Sequence, residues 1–371
     1  VIKKDYACSK ETMPSIWVLL DTKERKDMFQ RILVPLDGSV RAEGAIAVAA
    51  RIARATGGSI VLLNVVESQT EYNIYSVQPT IVTPEDVEVT RTHATDYLHS
   101  VMLKDDLEGV GVHIEVLTGS VGATLCSFAQ STAADLIVMC SHGYTGLKRW
   151  FLGSVADVVT RSSPVPVLIL RDGRPLVTEG TLDRGTLRAL VPVDGSPLSE
   201  AAIEPAAQLV ATLAAPESAA LHLLRVVDFP DRYGHGKSQA NIDLDMIEQA
   251  TQVSKAYLTS LMEQLQKGTI GHLNLALTAS VESGSDVAST IIETGELNEN
   301  GCTLVAMSTH GRSGWGRWVI GSITERVLHN TRLPLFVVHP QQPATQKEAT
   351  RKQTGTTATT QSEPPAWVGL L

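Results

Sequence analysis

Arg31-Ile32-Leu33-Val34-Pro35-Leu36-Asp37-Gly38-Ser39 recurs later in the chain as Arg188-Ala189-Leu190-Val191-Pro192-Val193-Asp194-Gly195-Ser196. Each copy is a short apolar run closed by turn residues, the pattern of a fully buried strand. Working outward, three further blocks recur in the same order. Ser141-His142-Gly143 is answered by Thr309-His310-Gly311, and Gly153-Ser154 by Gly321-Ser322. Gly143 to Gly153 is ten positions, as is Gly311 to Gly321, and Arg149-Trp150 stand where Arg317-Trp318 stand. The closing runs Val165-Pro166-Val167-Leu168-Ile169-Leu170 and Leu333-Pro334-Leu335-Phe336-Val337-Val338 also match. Four matched blocks in one order are a tandem duplication.

Between the blocks, strand and helix signals alternate. Ile32 to Leu36 reads as a strand, Arg41 to Thr56 as an Ala-rich helix stopped by Gly57-Gly58, and Ile60 to Val66 as a second strand. A helix from Pro84 to Leu103, a strand from Val112 to Leu117, a helix from Ala123 to Ser131 and a strand from Leu136 to Cys140 follow. A helix from Val155 to Thr160 and a fifth strand from Val165 to Leu170 complete the half. The second half repeats the order, with strands near Leu190, Leu221, Leu273, Leu304 and Leu335. Apolar strands separated by helices predict an α/β fold: two tandem doubly wound, parallel five-stranded sheets, Rossmann-like, with helices on both faces. The domain reading is an N-terminal extension over 1–28, a first domain over 29–172, a linker over 173–185, a second domain over 186–340 and a disordered tail over 341–371. Met28-Phe29-Gln30 reads as the natural start of the repeat.

Composition bounds the function. The 371 residues carry 31 Lys and Arg against 40 Asp and Glu, a net charge of -9 that argues against broad nucleic-acid binding. Cys8, Cys126, Cys140 and Cys302 show no C-x-x-C spacing, which speaks against a zinc site or disulfide scaffold and for a reducing cytoplasm. No apolar run reaches the roughly 18 residues of a membrane span, and no signal-peptide pattern is read at the N-terminus.

The chemistry is expected beyond the carboxyl ends of the strands, where a doubly wound sheet binds ligands. Asp37 and Asp194 are placed to accept from an exocyclic amine or ribose hydroxyl, or equally to close a turn and cap a helix. Gly143 and Gly311 suit close backbone approach, and Gly153-Ser154 and Gly321-Ser322 open helices whose free N–H groups favour an anion. Arg149 and Arg317 add charge for phosphate. The competing reading is a structural loop with an N-cap Ser. No G-x-x-x-x-G-K-[ST] is present, and G-x-G-x-x-G is broken after Gly109 and Gly111. Ser141-His142 is a poor nucleophile pair, because adjacent residues seldom meet correctly and the second half has Thr309-His310. His235 reads as solvated, and Trp150 and Trp318 as packing residues rather than base-stacking ones.

Together, Ile-Leu-Val-Pro-x-Asp-Gly-Ser, Ser-His-Gly, Gly-Ser ten residues on and a final Pro-Val-Leu strand resemble the universal stress protein family in its tandem form, over about 29 to 172 and 186 to 340. The resemblance implies ATP, or ADP or AMP, with Mg²⁺ accompanying the nucleotide. Its ATP-binding branch carries G-x-x-G-x9-G-[ST], which here reads Cys140-x-x-Gly143-x9-Gly153-Ser154 and Ser308-x-x-Gly311-x9-Gly321-Ser322. Cys140 and Ser308 replace the leading glycine, and a left-handed backbone there would cost about 1 kcal/mol or more. The implied nucleotide-binding residues are Pro35, Asp37, Val65, Cys140, His142, Gly143, Arg149, Gly153, Ser154 and Val155 in the first half. In the second they are Pro192, Asp194, Val226, Ser308, His310, Gly311, Arg317, Gly321, Ser322 and Ile323. Family members dimerise through the fifth strand, so the two halves are expected to form an internal pseudo-dimer, with a homodimer of chains as a further association. The implied role is a nucleotide-dependent stress sensor or regulator with at most slow ATP hydrolysis, since no general base or activated nucleophile is evident. The alternatives are a non-binding scaffold acting through protein contacts and a nucleotide-processing enzyme such as an adenylyl transferase, whose HIGH-like or PP-loop signature is absent.

Overall fold

A computed structural model describes residues 28–67, 84–141, 152–171, 176, 187–228, 237–297, 301–310 and 320–340. Residues 1–27 of the N-terminal extension, nearly all of the linker and the C-terminal tail lie outside the described residues, as do His142, Gly143, Arg149, Trp150, His235, Gly311, Arg317 and Trp318.

The first half runs β1 (Arg31–Pro35), α1 (Val40–Thr56), β2 (Ser59–Val66), α2 (Pro84–Met102), β3 (Gly111–Thr118), α3 (Val121–Ser131), β4 (Leu136–Cys140), α4 (Ser154–Ser162) and β5 (Val167–Leu170). The second runs β6 (Arg188–Pro192), α5 (Pro197–Glu200), α6 (Ile203–Ala214), β7 (Ala219–Asp228), α7 (Lys237–Lys267), β8 (Leu275–Gly284), α8 (Val287–Leu297), β9 (Leu304–Ser308), α9 (Ser322–Asn330) and β10 (Leu335–Val338). The ten strands among the described residues form one sheet in the order β3-β2-β1-β4-β5-β10-β9-β6-β7-β8. Pairing is parallel within each half, and β5 meets β10 antiparallel, with Leu168 opposite Phe336.

Both faces of the sheet are covered, so strand residues alternate between two cores. Ile32, Val34, Leu136, Val138 and Leu168 face α1, α2, α6 and α7, whereas Leu33, Ile137, Met139 and Ile169 face α3, α4, α8 and α9. This explains the near-continuous apolar runs. Each core continues across the β5–β10 seam. Phe29, at the start of the first half, packs edge-on against Phe336 of the second at 6.5 Å between ring centroids. Arg51 of α1 donates through Nε to the Leu213 carbonyl at 2.5 Å, satisfying the last turn of α6.

Local chemistry sets the ends. Ser39 caps α1 by accepting from the Ala42 N–H, and Gly57 ends it in the left-handed region at φ 71°. Gly58 is needed for close approach, because a Cβ there would lie 2.6 Å from the Phe29 carbonyl oxygen. The second half departs from the expected single helix after its first strand: α5 and α6 are separate. Pro205, where the first half has Val48, lacks an N–H and its ring clashes with the carbonyl four residues back, so the helix interrupts at Ala201-Ala202. The fifth strand starts at Val167, not Val165, and β8 starts at Leu275, two residues after the expected Leu273.

Candidate functional site

In each half the strand order reverses between the first and fourth strands, which pair in parallel: Ile32 with Leu136, and Ala189 with Leu304. Their carboxyl ends therefore open side by side into one crevice, the place where a doubly wound sheet takes a ligand.

The Asp-Gly-Ser turns line one wall and are alike in both halves. The Ser39 N–H and hydroxyl both donate to Asp37 Oδ1, at 3.0 and 2.6 Å. Ser196 does the same to Asp194 Oδ1, at 2.9 and 2.5 Å. Gly38 and Gly195 sit at φ 85° and 77°, where only glycine is unstrained. One carboxylate oxygen thus serves the turn, and the helix-cap reading is realised by Ser39 and Ser196. Asp37 is exposed and Asp194 half-buried, and each follows the carboxyl end of its first strand, beside the crevice.

The opposite wall is the start of α4 or α9. Ser141 N–H donates to Leu170 O at 2.9 Å, and Gly153 N–H donates to Ser141 O at 2.7 Å. Thr309 and Gly321 repeat both bonds, to Val338 O at 2.9 Å and to Thr309 O at 2.7 Å. The two ends of each loop are tied together, and the helix begins at the tie. The N-cap is Gly153 or Gly321, with no side-chain cap, and Ser154 and Ser322 are the first helical residues. This corrects the reading of an N-cap Ser. Both serines are exposed, and their hydroxyls bond to no other described residue. Uncapped N–H groups, the positive helix end and an exposed hydroxyl suit an anion. At Gly321 a Cβ would lie 3.3 Å from the Thr309 carbonyl oxygen, so the backbones are in close approach there. Val155 and Ile323 are half-buried and anchor the first turn to the core.

Cys140 and Ser308 end β4 and β9, and neither is among the positive-φ residues. The expected backbone penalty for replacing the leading glycine does not arise. Cys140 Sγ turns toward the first turn of α1, 3.9 Å from the Ala42 carbonyl oxygen. Ser308 is buried, its carbonyl accepts from Thr324 Oγ1 at 2.9 Å, and its hydroxyl accepts from the His310 N–H at 3.3 Å. His310 Nδ1 lies 2.9 Å from Thr309 Oγ1, while its buried Nε2 has no hydrogen-bond partner among the described residues. Pro35 and Pro192 end β1 and β6, opposite Leu63 and Leu224. Val65 and Val226 are half-buried at the ends of β2 and β7.

Two matched features escape the motif reading. Tyr97 donates to Glu43 Oε1 at 3.0 Å, and Tyr257 to Glu200 Oε1 at 2.6 Å. Burial, then the carboxylate, raises both phenols well above the usual tyrosine range; Asp37 adds to this in the first half and Asp194 in the second. The signal was present as Ser-x-x-x-Glu in Ser39 to Glu43 and Ser196 to Glu200, and as Tyr-Leu at Tyr97-Leu98 and Tyr257-Leu258. The second feature is the residue before the valine. Asn64 Nδ2 donates to Leu36 O at 2.9 Å, and Arg225 Nη1 donates to the equivalent Val193 O at 3.2 Å.

Among the described residues, no group of three or more His, Cys, Asp or Glu is placed to hold a metal, and no helix is long and apolar enough to cross a membrane. The family model described as "Universal stress protein family" matches residues 28–171 and 186–339. The chain belongs to the universal stress protein family. A universal stress protein of Mycolicibacterium smegmatis is 24% identical over 312 residues, covering 83% of this chain and 97% of that one. One from Methanocaldococcus jannaschii is 30% identical over 152 residues, 39% of this chain and 84% of its own. The crystal structure of a universal stress protein from Archaeoglobus fulgidus, 20% identical, has a TM-score of 0.55 and covers 84% of this chain and 97% of that chain. In this tandem universal stress protein the site therefore exists twice, once per half.

Proposed function

We propose that this tandem universal stress protein binds an adenine nucleotide, ATP or its ADP or AMP forms, in each of two crevices. It acts as a nucleotide-dependent stress regulator in the cytoplasm. The observation that carries this reading is the uncapped helix start at Gly153 and Gly321, each tied to the end of the fourth strand at 2.7 Å and facing an Asp-Gly-Ser turn. A phosphate would take the N–H groups of the first turn and the Ser154 or Ser322 hydroxyl. The Asp37 or Asp194 carboxylate would accept from the sugar or base. Mg²⁺ is assigned only as the ion that accompanies the phosphates. Hydrolysis is slow on this reading, because no side chain in the described crevice is placed to activate water.

Each part of the chain has a separable task. The Asx turns hold Asp37 and Asp194 toward the crevice, the tied loops hold the helix ends against the sheet, and the β5–β10 seam holds the two crevices in one body. The rival reading, a scaffold without nucleotide, draws on the Ser39 and Ser196 bonds that already occupy one oxygen of each Asp. Denaturing the purified protein and identifying released nucleotide by mass spectrometry decides between them. One or two adenine nucleotides per chain supports binding. None, with no thermal shift at millimolar Mg-ATP, makes the scaffold the function.

A further inference from the structure

The duplication supplies its own control for each site, since matching positions can be compared within one molecule. Most site positions carry the same chemistry in both halves. The residue at the end of the second strand does not. Asn64 and Arg225 each donate to the carbonyl immediately before the crevice aspartate, Leu36 O at 2.9 Å and Val193 O at 3.2 Å. One is a neutral amide and the other a permanent cation.

At this strand position the second crevice therefore carries a cation where the first carries a neutral amide. In the first half Lys104, beyond α2, pairs with Glu43 and has a side chain 42% exposed. In the second, Arg225 rises from β7 among Asp194, Tyr257 and Glu200, and its charge acts on Tyr257 against that of Asp194. Both Asn64 and Arg225 are half-buried, so the guanidinium is screened less than a surface charge. Holding one nitrogen on Val193 O orients the planar fork, and such a fork matches phosphate geometry.

We propose that position 64/225 makes the two crevices unlike in specificity: Arg225 suits the second to an adenine nucleotide carrying a phosphate on its ribose 2′ or 3′ oxygen, and Asn64 suits the first to an unmodified ribose. The chemistry follows the general division in α/β nucleotide sites, where a carboxylate takes a free ribose hydroxyl and an arginine takes a ribose phosphate. The second crevice holds both groups, Asp194 and Arg225. The inference rests on the nucleotide reading above.

The test is calorimetric titration of the full chain with AMP, adenosine 2′,5′-bisphosphate and adenosine 3′,5′-bisphosphate. At one of two sites, a bisphosphate is expected to bind about tenfold more tightly than AMP. Arg225→Asn removes that preference while AMP binding persists. Asn64→Arg, an independent variant in the other half, creates the preference at the first site. A preference of less than about twofold in the parent chain overturns the assignment. So does a preference that survives Arg225→Asn in a protein whose melting curve is intact. In either case AMP still binds and the nucleotide reading stands. If none of the three ligands nor ATP binds, the nucleotide reading fails and takes this inference with it.

Discussion

Arg161 of α4 donates to Glu325 of α9 at 2.7 Å, joining the two halves beside the β5–β10 seam. Its repeat counterpart, His329, stands 3.9 Å from Asp157, the counterpart of Glu325. One contact is therefore written twice by a two-fold operation and has diverged from Arg to His on one side. Arg161 also bonds Asp157 within its own helix at 3.0 Å. Its side chain is 29% exposed and that of Glu325 43%, so solvent screens the pair. A double-mutant cycle with Arg161→Ala and Glu325→Ala should give a coupling of about 0.5–1 kcal/mol, shrinking in high salt. Urea unfolding at low and high salt measures it. A coupling well above about 2 kcal/mol would mean the pair is shielded as a buried one.

The same divergence recurs where β5 and β10 end. Arg171 follows β5, is 7% exposed, and donates through Nη2 to the Leu328 carbonyl. His339 follows β10, and its ring lies against the backbone of Thr160 and Arg161 in α4, with His310 nearby. Burial, aided by the charge of His310, pushes His339 down to about 4. A histidine with a folded value below its unfolded one of 6.5 binds protons preferentially when unfolded. Its neutral form stabilises the fold fully above about pH 6.5, and this stability is lost as pH falls toward 4, on the order of 2–3 kcal/mol. Burial also lowers His222, which adds a slope of the same sign. Urea midpoints at pH 7, 5.5 and 4.5 should fall with acid, and His339→Leu should flatten part of that fall. An unchanged slope in the variant would assign the acid sensitivity to other groups.

The fold was legible because each half is built from short, nearly all-apolar strands bounded by Gly, Pro and Asp-Gly-Ser, and because the repeat read each element twice. Pro205 was visible, yet its effect on the second half's first helix was overlooked under the symmetry of the repeat. The backbone at Cys140 and Ser308 could not be read from residue type, since φ there is set by the strand that ends at these positions. Helix starts at Gly153 and Gly321 were legible to within a residue; which residue caps depended on the tie to Ser141 O and Thr309 O, a contact between loop ends. The Tyr–Glu pairs and Arg225 were missed because they join elements 32 to 57 residues apart: α1 with α2 and α5 with α7 for the Tyr–Glu pairs, and β6 with β7 for Arg225.

Phe29 ties the start of the first half to the last strand of the second. It is 1% exposed, sits at φ 65° and meets Phe336 edge-on at 75° between ring planes. Phe29→Ala should cost about 3–5 kcal/mol, as expected for emptying a buried aromatic site. Phe29→Leu, which keeps most of the apolar volume, should cost less than half as much. Chemical denaturation compares the two. A loss under about 1 kcal/mol for the alanine variant would mean the seam repacks without it.

The helix starts allow binding to be separated from folding. Gly153 and Gly321 have φ of -66° and -62°, a region open to every residue, so neither is required by torsion. A Cβ at Gly321 meets the Thr309 carbonyl oxygen at 3.3 Å, which asks for a shift of only a few tenths of an ångström. Gly153→Glu and Gly321→Glu should therefore change stability by no more than about 1 kcal/mol. Each nevertheless places a carboxylate at a helix start proposed to hold phosphate. The like charge and the filled space should weaken nucleotide binding in that half by about tenfold or more, leaving the other half intact. Titration of ATP into each single variant should show one strong site lost from two, and the double variant should bind neither. Two unchanged sites in both single variants, with unaltered melting curves, would move the phosphates away from these helix starts.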